Sequence, residues 1–408
     1  MKKYIDKKNK FIELFNPKNG SYIRTGVIEN NKDTGVDPFM RSFPFLLDIG
    51  IMNKCVCANK CNVDCYQNAI NRHGENMSLN NYKKIMKQCK NKVGEVALGG
   101  AGDVDTHENF EEILKITNDY EIVPNFTTSG IMIDENKAKI CKKYCGAVAV
   151  SQHSKLSKTI LKNSDMKKNN ETVYIENADN INQYIKEDWE ICDNTLDKNY
   201  IYKTVLFEEK NYTYKAIQNL LNEGVKTNIH YVLSNKSINE AIYRLKYNAF
   251  PKGINAVIFL LYKPIGLGTN ENVLQFNDKR LATFFELVDE LSFPFKIGFD
   301  SCTVPAIINF TKNIDYTSLD SCEGGRYSAY ITPDMKLLPC SFDNQDEKWA
   351  VDLNKYSIQE AWDSDVFNDF RSHFSNSCTN CEDHLSCYGG CPISRKIVLC
   401  NNKNKKLK

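Results

Sequence analysis

The sequence predicts an α/β fold: a partial (β/α)6 TIM-like barrel followed by a C-terminal cysteine-rich domain. Two observations lead to this prediction. Between residues 44 and 300, apolar strand-like runs alternate with amphipathic helices, which is typical of a parallel sheet covered on both faces. Most of the 16 cysteines lie either just after the first of these strands or beyond residue 300. We therefore expect residues 1–43 to form a cap, residues 44–300 a barrel and residues 301–408 a second domain.

The composition excludes some classes of protein. The chain has 408 residues, more than one ordinary domain, and its 53 basic and 51 acidic residues nearly cancel. Neither nucleic acid nor a membrane is therefore expected as the main partner. No apolar run approaches membrane length and no signal-peptide core follows Met1–Lys3, so we expect a cytoplasmic protein. In that reducing compartment, many cysteines favour metal or cluster binding over disulfides.

The elements follow in order. The turn Asn16–Gly20 separates two short strand-like pieces of the cap. Between residues 154 and 202 the strand–helix alternation lapses into a polar stretch rich in Lys and Asn. We interpret that stretch as a disordered surface loop, with an insertion over the barrel mouth as the alternative. The predicted barrel strands are Phe45–Ile51, Glu95–Leu98, Ile122–Thr128, Ala147–Ser151, Thr227–Leu233, Ile254–Leu261 and Lys296–Phe299.

Four thiols follow the first strand within eleven residues: Cys55, Cys57, Cys61 and Cys65. Thiolates crowded into one loop repel each other unless a cation collects them, so this loop is predicted to bind a metal or cluster. Zinc prefers pairs of cysteines two residues apart and a closed set of four ligands, but zinc stays open as an alternative. Three thiolates on a four-iron cluster would leave one iron free to bind a substrate.

Residues able to contact a ligand also follow the later strands, where active sites of such sheets lie. A glycine turn after a strand is usually only a turn, so the shared placement of these residues carries the prediction. The candidate cofactor-binding residues are Gly99, Gly100, Gly102 and Asp103 after the second strand, Thr128 after the third, Ser151 after the fourth and Gly266 after the sixth.

The C-terminal region carries a second cysteine pattern. Cys322 and Cys340 flank a predicted hairpin, Tyr327–Thr332 and Lys336–Pro339. Thiols at defined gaps arise rarely by chance, and a zinc ribbon is the alternative to iron–sulfur binding. The remaining thiols are Cys378-x2-Cys381-x5-Cys387-x3-Cys391 and Cys400.

Together the two patterns resemble those of radical S-adenosylmethionine (radical SAM) enzymes with a C-terminal SPASM domain. The first loop is similar to the family's C-x3-C-x2-C motif, except that Asp64 stands where the third thiol is expected and Cys65 follows it. The resemblance implies that Cys57, Cys61 and Cys65 hold the SAM-binding cluster, which we favour, or that Cys55 replaces Cys57. It also implies that the residues at the strand ends contact S-adenosylmethionine.

Every C-terminal cysteine spacing matches the SPASM motif, although Met335 replaces its turn glycine. By the resemblance, Cys322, Cys340 and Cys391 hold a first auxiliary 4Fe-4S cluster. We predict Cys302 as its fourth ligand, the alternative being a buried structural thiol. The second auxiliary cluster is held, by the same resemblance, by Cys378, Cys381, Cys387 and Cys400.

The resemblance implies a function. The enzyme would reductively cleave S-adenosylmethionine to a 5′-deoxyadenosyl radical, which abstracts hydrogen from a peptide or protein, for example to form a thioether or carbon–carbon crosslink. An external one-electron donor such as flavodoxin or ferredoxin would be needed. A sulfatase-type formylglycine maturase ranks lower, because Ser341 rather than Asp follows Cys340. The alternative from another class is a non-enzymatic regulator that binds zinc or an iron–sulfur cluster.

Overall fold

The computed structural model describes residues 1–57, 61, 63–153, 155–163, 171–178, 189–191, 201–313, 319–375, 378, 381–394, 397 and 399–400. The first segment is a small antiparallel sheet with a hairpin beside it. Its inner face packs on Phe45, which precedes the first barrel strand, through the rings of Tyr4, Phe15 and Tyr22 at centroid distances of 5.3, 5.4 and 5.0 Å. This sheet therefore covers the amino-terminal end of that strand. Its strands are β1 (Lys2–Asp6), β2 (Phe11–Phe15) and β3 (Tyr22–Arg24), and the hairpin is β4 (Ile28–Glu29) and β5 (Lys32–Asp33).

The barrel elements come next. The first half consists of β6 (Leu46–Met52), α1 (Leu79–Cys89), β7 (Glu95–Gly100), α2 (Phe110–Asp119), β8 (Val123–Thr128), α3 (Glu135–Tyr144) and β9 (Val148–Ser151). Four strands outside the barrel follow, β10 (Leu156–Asn163), β11 (Glu171–Ala178), β12 (Trp189–Ile191) and β13 (Ile201–Glu209). The second half consists of α4 (Tyr212–Asn222), β14 (Thr227–Leu233), α5 (Ile238–Lys246), β15 (Ala256–Leu261), α6 (Lys279–Glu290) and β16 (Lys296–Phe299).

The seven barrel strands β6, β7, β8, β9, β14, β15 and β16 pair in this order, and every pair is parallel. Sequential parallel pairing with a helix at each crossover curves the sheet toward a barrel. Within the described ranges no pairing joins β16 to β6, so the barrel is partial. The predicted strand boundaries agree with the observed ones to within two residues.

The alternation of side chains along the strands separates two environments. On β6, Leu47, Ile49 and Ile51 are fully buried and belong to the core beneath the helices. The alternate residues Leu46 and Asp48 face the barrel interior and are only half-buried. The stabilising core therefore lies between sheet and helices, and these two interior side chains are less completely packed than the core residues.

The C-terminal region continues the same sheet. Strand β17 (Ser328–Ile331) pairs in parallel with β6. It forms the hairpin predicted from the sequence with the antiparallel strand β18 (Lys336–Leu338), and a further strand, β19 (Val351–Asp352), pairs antiparallel with β18. At the hairpin turn, Met335 has a φ of +69°, so it adopts the left-handed conformation that a glycine would provide. The elements are α7 (Val304–Phe310), β17 (Ser328–Ile331), β18 (Lys336–Leu338), β19 (Val351–Asp352), α8 (Ile358–Trp362), α9 (Asp365–Ser375) and α10 (His384–Cys387).

The prediction of a disordered loop over residues 154–202 is wrong for the described part of that stretch. Strands β10 to β13 form a separate four-stranded sheet in the order β11, β13, β10, β12. The stretch is polar, but β10 and β13 pair over eight residues each. Their backbone hydrogen bonds form a sheet because such bonds do not depend on side-chain polarity. The described part of this stretch is therefore a folded insertion between β9 and α4, and its placement over the barrel mouth stays a prediction. None of the helices in the described ranges has the length and apolar character needed to cross a membrane.

Candidate functional site

The thiol loop leaves the barrel at the carboxyl end of β6, where the turns after the other strands also lie. Cys61 is exposed, and Cys55, Cys57 and Cys65 are half-buried, all as free thiols. Residues 58–60 and 62 lie outside the described residues. The loop is therefore accessible from the open end of the barrel.

Two glycines predicted from the sequence hold the loop by close backbone contact. A Cβ on Gly102 would overlap the carbonyl oxygen of Lys54, and a Cβ on Gly266 would overlap the carbonyl oxygens of Cys65 and Tyr66. Gly266 also has a φ of +65°, and the neighbouring Leu267 N–H donates to the Cys65 carbonyl at 3.0 Å. Only glycine fits at these two places. The turns after β7 and β15 thus fix the two ends of the thiol loop.

The four thiols of the loop share one electrostatic neighbourhood. Burial raises the pKa of Cys55; the Cys57 backbone N–H opposes the shift, and Asp103, Cys65 and Cys61 add to it. The pKa of Tyr212, at the start of α4, is raised by burial and then by Cys61, Cys57 and Asp103. Both three-cysteine sets predicted from the sequence are compatible with this arrangement.

The glycine run after β7 lies beside the loop. Gly100 has a φ of +123°, and the Ala101 N–H donates to the Met52 carbonyl at 2.8 Å, which ties this turn to the end of β6. A Cβ on Gly99 would meet no atom within 4 Å, so space is open in front of its backbone. Asp103 is already engaged: it accepts from the Ser129 N–H at 2.9 Å and from the Ser129 hydroxyl. Asp103 therefore joins the turns after β7 and β8.

The remaining two candidates differ in exposure. Thr128 is buried, and its Oγ1 accepts from the Gly130 N–H at 2.9 Å, so this hydroxyl is used within its own turn. Ser151 is half-buried at the end of β9 and lies opposite His230 in the register with β14. The structure thus brings Gly99, Ser151 and Gly266 to the carboxyl ends of the strands, while the side chains of Asp103 and Thr128 are occupied.

His230 is an interior group that the sequence analysis missed. Its Nδ1 lies 3.2 Å from Thr127 Oγ1 inside the barrel. Burial lowers the pKa of His230 to about 4, against a smaller opposing effect of Asp300, so the imidazole is neutral at pH 7. The sequence does contain a signal for His230. It alternates with the buried Ile229 and Tyr231 along β14, so its side chain is expected on the opposite face of the strand, toward the barrel interior.

Four C-terminal thiols come together against the barrel: Cys302, Cys322, Cys340 and Cys391. The thiols of Cys302 and Cys391 are hydrogen-bonded to each other, and Cys302 also acts electrostatically on Cys322 and Cys340. A Cβ on Gly324 would lie 3.6 Å from Cys322 Sγ and 3.5 Å from Cys340 Cβ, so its absence leaves room beside the thiols. Cys302 thus lies with the three cysteines that the SPASM pattern groups together.

A buried cation adjoins this first thiol group. The Nζ of Lys263, after β15, makes a 3.0 Å ion pair with Asp300, and its side chain is 1% exposed against 20% for Asp300. It also lies 4.2 Å above the ring of Phe342. Burial alone would lower the pKa of Lys263, but Cys302, Asp300 and Cys391 raise it, so it stays charged. No pattern in the sequence had indicated this residue.

The second C-terminal thiol group consists of Cys378, Cys381, Cys387 and Cys400. All four line one cavity of about 220 Å³, whose wall also includes Pro305 and Ile308 from α7. Burial raises the pKa of Cys387, and the other three thiols raise it further. In the described ranges, no three cysteine, histidine or carboxylate side chains converge on a single metal-ion position. The thiols instead line a space, and a four-iron cluster, which takes one thiolate per iron, fits such a space.

Comparisons with known proteins show what the chain resembles. The model of the SPASM family, an iron–sulfur cluster-binding domain, matches residues 322–382. The structure of Streptococcus suis SuiB bound to S-adenosylmethionine has a TM-score of 0.57 at 16% identity, covering 86% of this chain and 74% of that chain. The structure of SuiB bound to precursor peptide SuiA has a TM-score of 0.57 at 15% identity, covering 92% of this chain and 83% of that chain.

A third solved structure, native anSMEcpe with bound AdoMet and Kp18Cys peptide, has a TM-score of 0.54 at 16% identity, covering 85% of this chain and 89% of that chain. No curated protein matches the sequence. At these identities the likeness is one of fold. The predicted fold class, a partial barrel with a C-terminal iron–sulfur domain, is confirmed, and so is the resemblance to radical SAM enzymes that carry a SPASM domain.

Proposed function

We propose that this chain is a radical SAM enzyme that modifies a peptide or protein substrate. The observation that carries the proposal is the arrangement of three separate thiol groups: one at the carboxyl end of the first barrel strand, one against the barrel and one in the cavity beside α7. Fold neighbours bound to S-adenosylmethionine and to peptides support it. In this proposal residues 1–43 are a cap, 44–300 the catalytic barrel and 301–408 the auxiliary-cluster domain.

Three 4Fe-4S clusters fit the thiols on chemical grounds, since thiolates are the ligands of such clusters. Cys57, Cys61 and Cys65 would hold the SAM-binding cluster, with Cys55 as the alternative to Cys57. Cys302, Cys322, Cys340 and Cys391 would hold the first auxiliary cluster. Cys378, Cys381, Cys387 and Cys400 would hold the second, in the cavity that they line.

S-adenosylmethionine would lie over the carboxyl ends of the strands. Its candidate contacts are the open backbone at Gly99, the half-buried Ser151 and the tight turn at Gly266. Gly100, Gly102, Asp103 and Thr128 would shape this surface through their backbones and turns. Bound there, and given one electron from an external donor such as flavodoxin or ferredoxin, S-adenosylmethionine would split into methionine and a 5′-deoxyadenosyl radical able to abstract hydrogen from an unactivated carbon.

The residues of the barrel would orient the substrate and keep water away. His230 is neutral at pH 7 and linked to Thr127, so it can accept or donate a hydrogen bond without a buried charge. The seven barrel strands partly enclose this interior, and the cap packs at the amino-terminal end of β6. Such a site suits a reactive intermediate, because excluded water cannot divert it.

Among peptide modifications, we favour a thioether or carbon–carbon crosslink over formylglycine formation. The carboxylate nearest in sequence after Cys340 is Asp343, and its Oδ2 is engaged by the Trp349 N–H at 2.9 Å. Asp343 is also buried, so it is a poor substitute for an acid directly after the cysteine. If a sulfatase-type peptide incubated with reduced enzyme and S-adenosylmethionine gains formylglycine, this ranking is wrong.

Metal analysis tests the proposal as a whole. We expect anaerobically purified protein to be brown and to hold about twelve irons, four for each of three clusters. Cys302→Ala should change the spectrum of one auxiliary cluster and leave the SAM-binding cluster unaltered. A colourless protein with stoichiometric zinc would instead favour the metal-binding regulator. An unchanged auxiliary spectrum in Cys302→Ala would remove that residue from the ligand set.

A further inference from the structure

The outer face of the cap sheet is apolar, although it points to solvent. Ile5 and Ile23 are 58% and 61% exposed, and Ile12 and Leu14 between them are half-buried. The register places Ile5 opposite Ile12 and Leu14 opposite Ile23, so the four side chains are neighbours on one face. An exposed antiparallel sheet face is normally polar, and a contiguous apolar one marks an interaction site.

The inner face of the same sheet is buried against the rest of the chain. Phe11, Glu13 and Phe15 are buried, and Glu13 makes a 2.6 Å ion pair with Arg41. The inner face already provides the packing against the rest of the chain, so the outer aliphatic side chains stabilise the sheet only as cross-strand neighbours, a role that polar side chains can also fill. They need another explanation.

The exposed charged side chains of the cap sheet and its turns are lysines. Residues 1–23 contain six lysines and only two acids, Asp6 and Glu13, both of which are buried on the inner side. Two of the lysines are paired, Lys2 with Glu121 and Lys8 with Asp363. The other four are exposed and make no ion pair within the described part of the chain: Lys3, Lys7, Lys10 and Lys18. An acidic partner would therefore complement the rim.

The dimensions of this apolar face indicate the kind of partner that could bind it. Three strands about 4.8 Å apart and at most five residues long give a face about 10 Å wide and about 17 Å long. This width equals the diameter of one α-helix. The area is far below the roughly 800 Å² per partner that a stable dimer buries. The face thus suits one short amphipathic segment better than a second copy of the chain.

We propose that this face binds an acidic amphipathic segment of the polypeptide substrate. The inference rests on the proposed function only in taking the substrate to be a polypeptide. The cap covers the amino-terminal end of β6, whereas the thiol loop leaves its carboxyl end, about 23 Å away for seven residues at about 3.3 Å each. The docking segment and the modified residue must therefore be separated by at least about seven extended residues.

Fluorescence anisotropy with a labelled probe peptide tests the proposal. The probe is a helix of about five turns with leucines on one face and glutamates on the other. Its controls are a scrambled peptide of the same composition and a peptide with lysine in place of glutamate. We expect the probe to bind the wild-type holoenzyme at least about tenfold more tightly than either control.

Two sets of variants locate the binding. Ile5→Ser with Ile23→Ser, and separately Lys3→Glu with Lys7→Glu and Lys10→Glu, should each weaken binding at least about tenfold. Leu291→Ser with Val366→Ser removes two exposed aliphatic side chains elsewhere and should have no effect. The charge-reversed variant keeps the test decisive if the serine variant fails to fold.

Several results would overturn the proposal. The first two are unchanged probe affinity in both sets of cap variants and equal affinity for the glutamate and lysine peptides. The others are tighter binding to phosphatidylserine vesicles than to the probe, and a wild-type dimer that becomes a monomer in the serine variant. Production of 5′-deoxyadenosine by the same preparations is the separate check on the proposed function. A preparation that makes it but does not bind the probe refutes the docking surface alone.

Discussion

Asp64, which stands where the motif places its third thiol, has a role of its own in holding the thiol loop. Its Oδ2 accepts from the buried Asn272 side chain at 2.6 Å and lies 3.5 Å from the Nζ of Lys236. The carboxylate therefore anchors the loop to the segment after β15. A thiol at that position would lack this anchor.

The ligand set of the loop is testable by substitution. Because a missing thiolate leaves a cluster with too few ligands, we expect Cys57→Ala, Cys61→Ala and Cys65→Ala each to abolish formation of 5′-deoxyadenosine. Cys55→Ala serves as the matched control and should retain most of the activity. Chromatographic assay of 5′-deoxyadenosine with dithionite as reductant measures this. An inactive Cys55→Ala beside an active Cys57→Ala would show that Cys55 is the ligand.

Lys263 should tune the first auxiliary cluster. A positive charge beside a cluster stabilises the electron that it accepts, and this ammonium is desolvated while its partner Asp300 is partly solvated. We expect Lys263→Met to lower the reduction potential of that cluster by about 59 mV or more, a tenfold change in its one-electron equilibrium. Asp300→Asn should shift it the opposite way, and Lys263→Arg should restore it.

Redox titration followed by electron paramagnetic resonance measures these potentials, with the other two clusters as internal controls. An equal shift of all three clusters, or of none, would contradict a local electrostatic role for Lys263. The sequence could not have indicated this residue. Lys263, Cys302 and Cys391 are brought together only by the pairing of β15 with β16 and the return of the C-terminal chain.

At the scale of elements, the inserted sheet is fastened to the barrel by a buried ion pair. Arg244 in α5 donates to both carboxylate oxygens of Glu208 in β13, at 2.6 and 3.1 Å, and both side chains are at most 1% exposed. The Gln152 amide also donates to Glu208 at 2.9 Å, directly after Ser151. The insertion thus contacts the end of β9 where a candidate cofactor residue lies.

Removing one member of the Glu208–Arg244 ion pair should lower the stability of the protein. Glu208→Ala leaves the Arg244 guanidinium buried without its main counterion, so we expect a loss of about 3–5 kcal/mol in the free energy of unfolding. Glu240→Ala removes the other, one-third exposed partner of Arg244 and should cost below about 1 kcal/mol. Urea unfolding monitored by circular dichroism compares the two. Equal losses would mean that Glu208 is not the principal anchor.

Prediction from the sequence succeeds for elements with strong periodicity and fails elsewhere for physical reasons. Strands β14 and β16 match the predicted bounds because apolar side chains on the core-facing side specify them. Strand β10, Leu-Ser-Lys-Thr-Ile-Leu-Lys-Asn, lacks a clear alternation, and its pairing with the distant β13 specifies it instead. Met335 adopts a positive φ although it is not glycine, since its buried side chain packs in the core and offsets the strain.

At the scale of the whole molecule, one sheet connects the barrel to the C-terminal iron–sulfur domain. Strand β17 pairs with β6, the strand that leads into the thiol loop, so the two cysteine-rich regions are joined through adjacent strands. The loop and the first C-terminal thiol group are both tied to the turn after β15, through Gly266 and Lys263. This arrangement puts the first C-terminal thiol group at the same end of the sheet as the thiol loop.

The central claim is that the chain uses these thiols for radical chemistry on S-adenosylmethionine. Its most direct test is to incubate anaerobically reconstituted protein with S-adenosylmethionine and dithionite and to quantify 5′-deoxyadenosine, with the triple variant Cys57→Ala, Cys61→Ala and Cys65→Ala as control. We expect the wild-type protein to form 5′-deoxyadenosine and methionine in equal amounts and the triple variant to form neither. Iron-loaded wild-type protein that forms no more 5′-deoxyadenosine than the triple variant would contradict the claim.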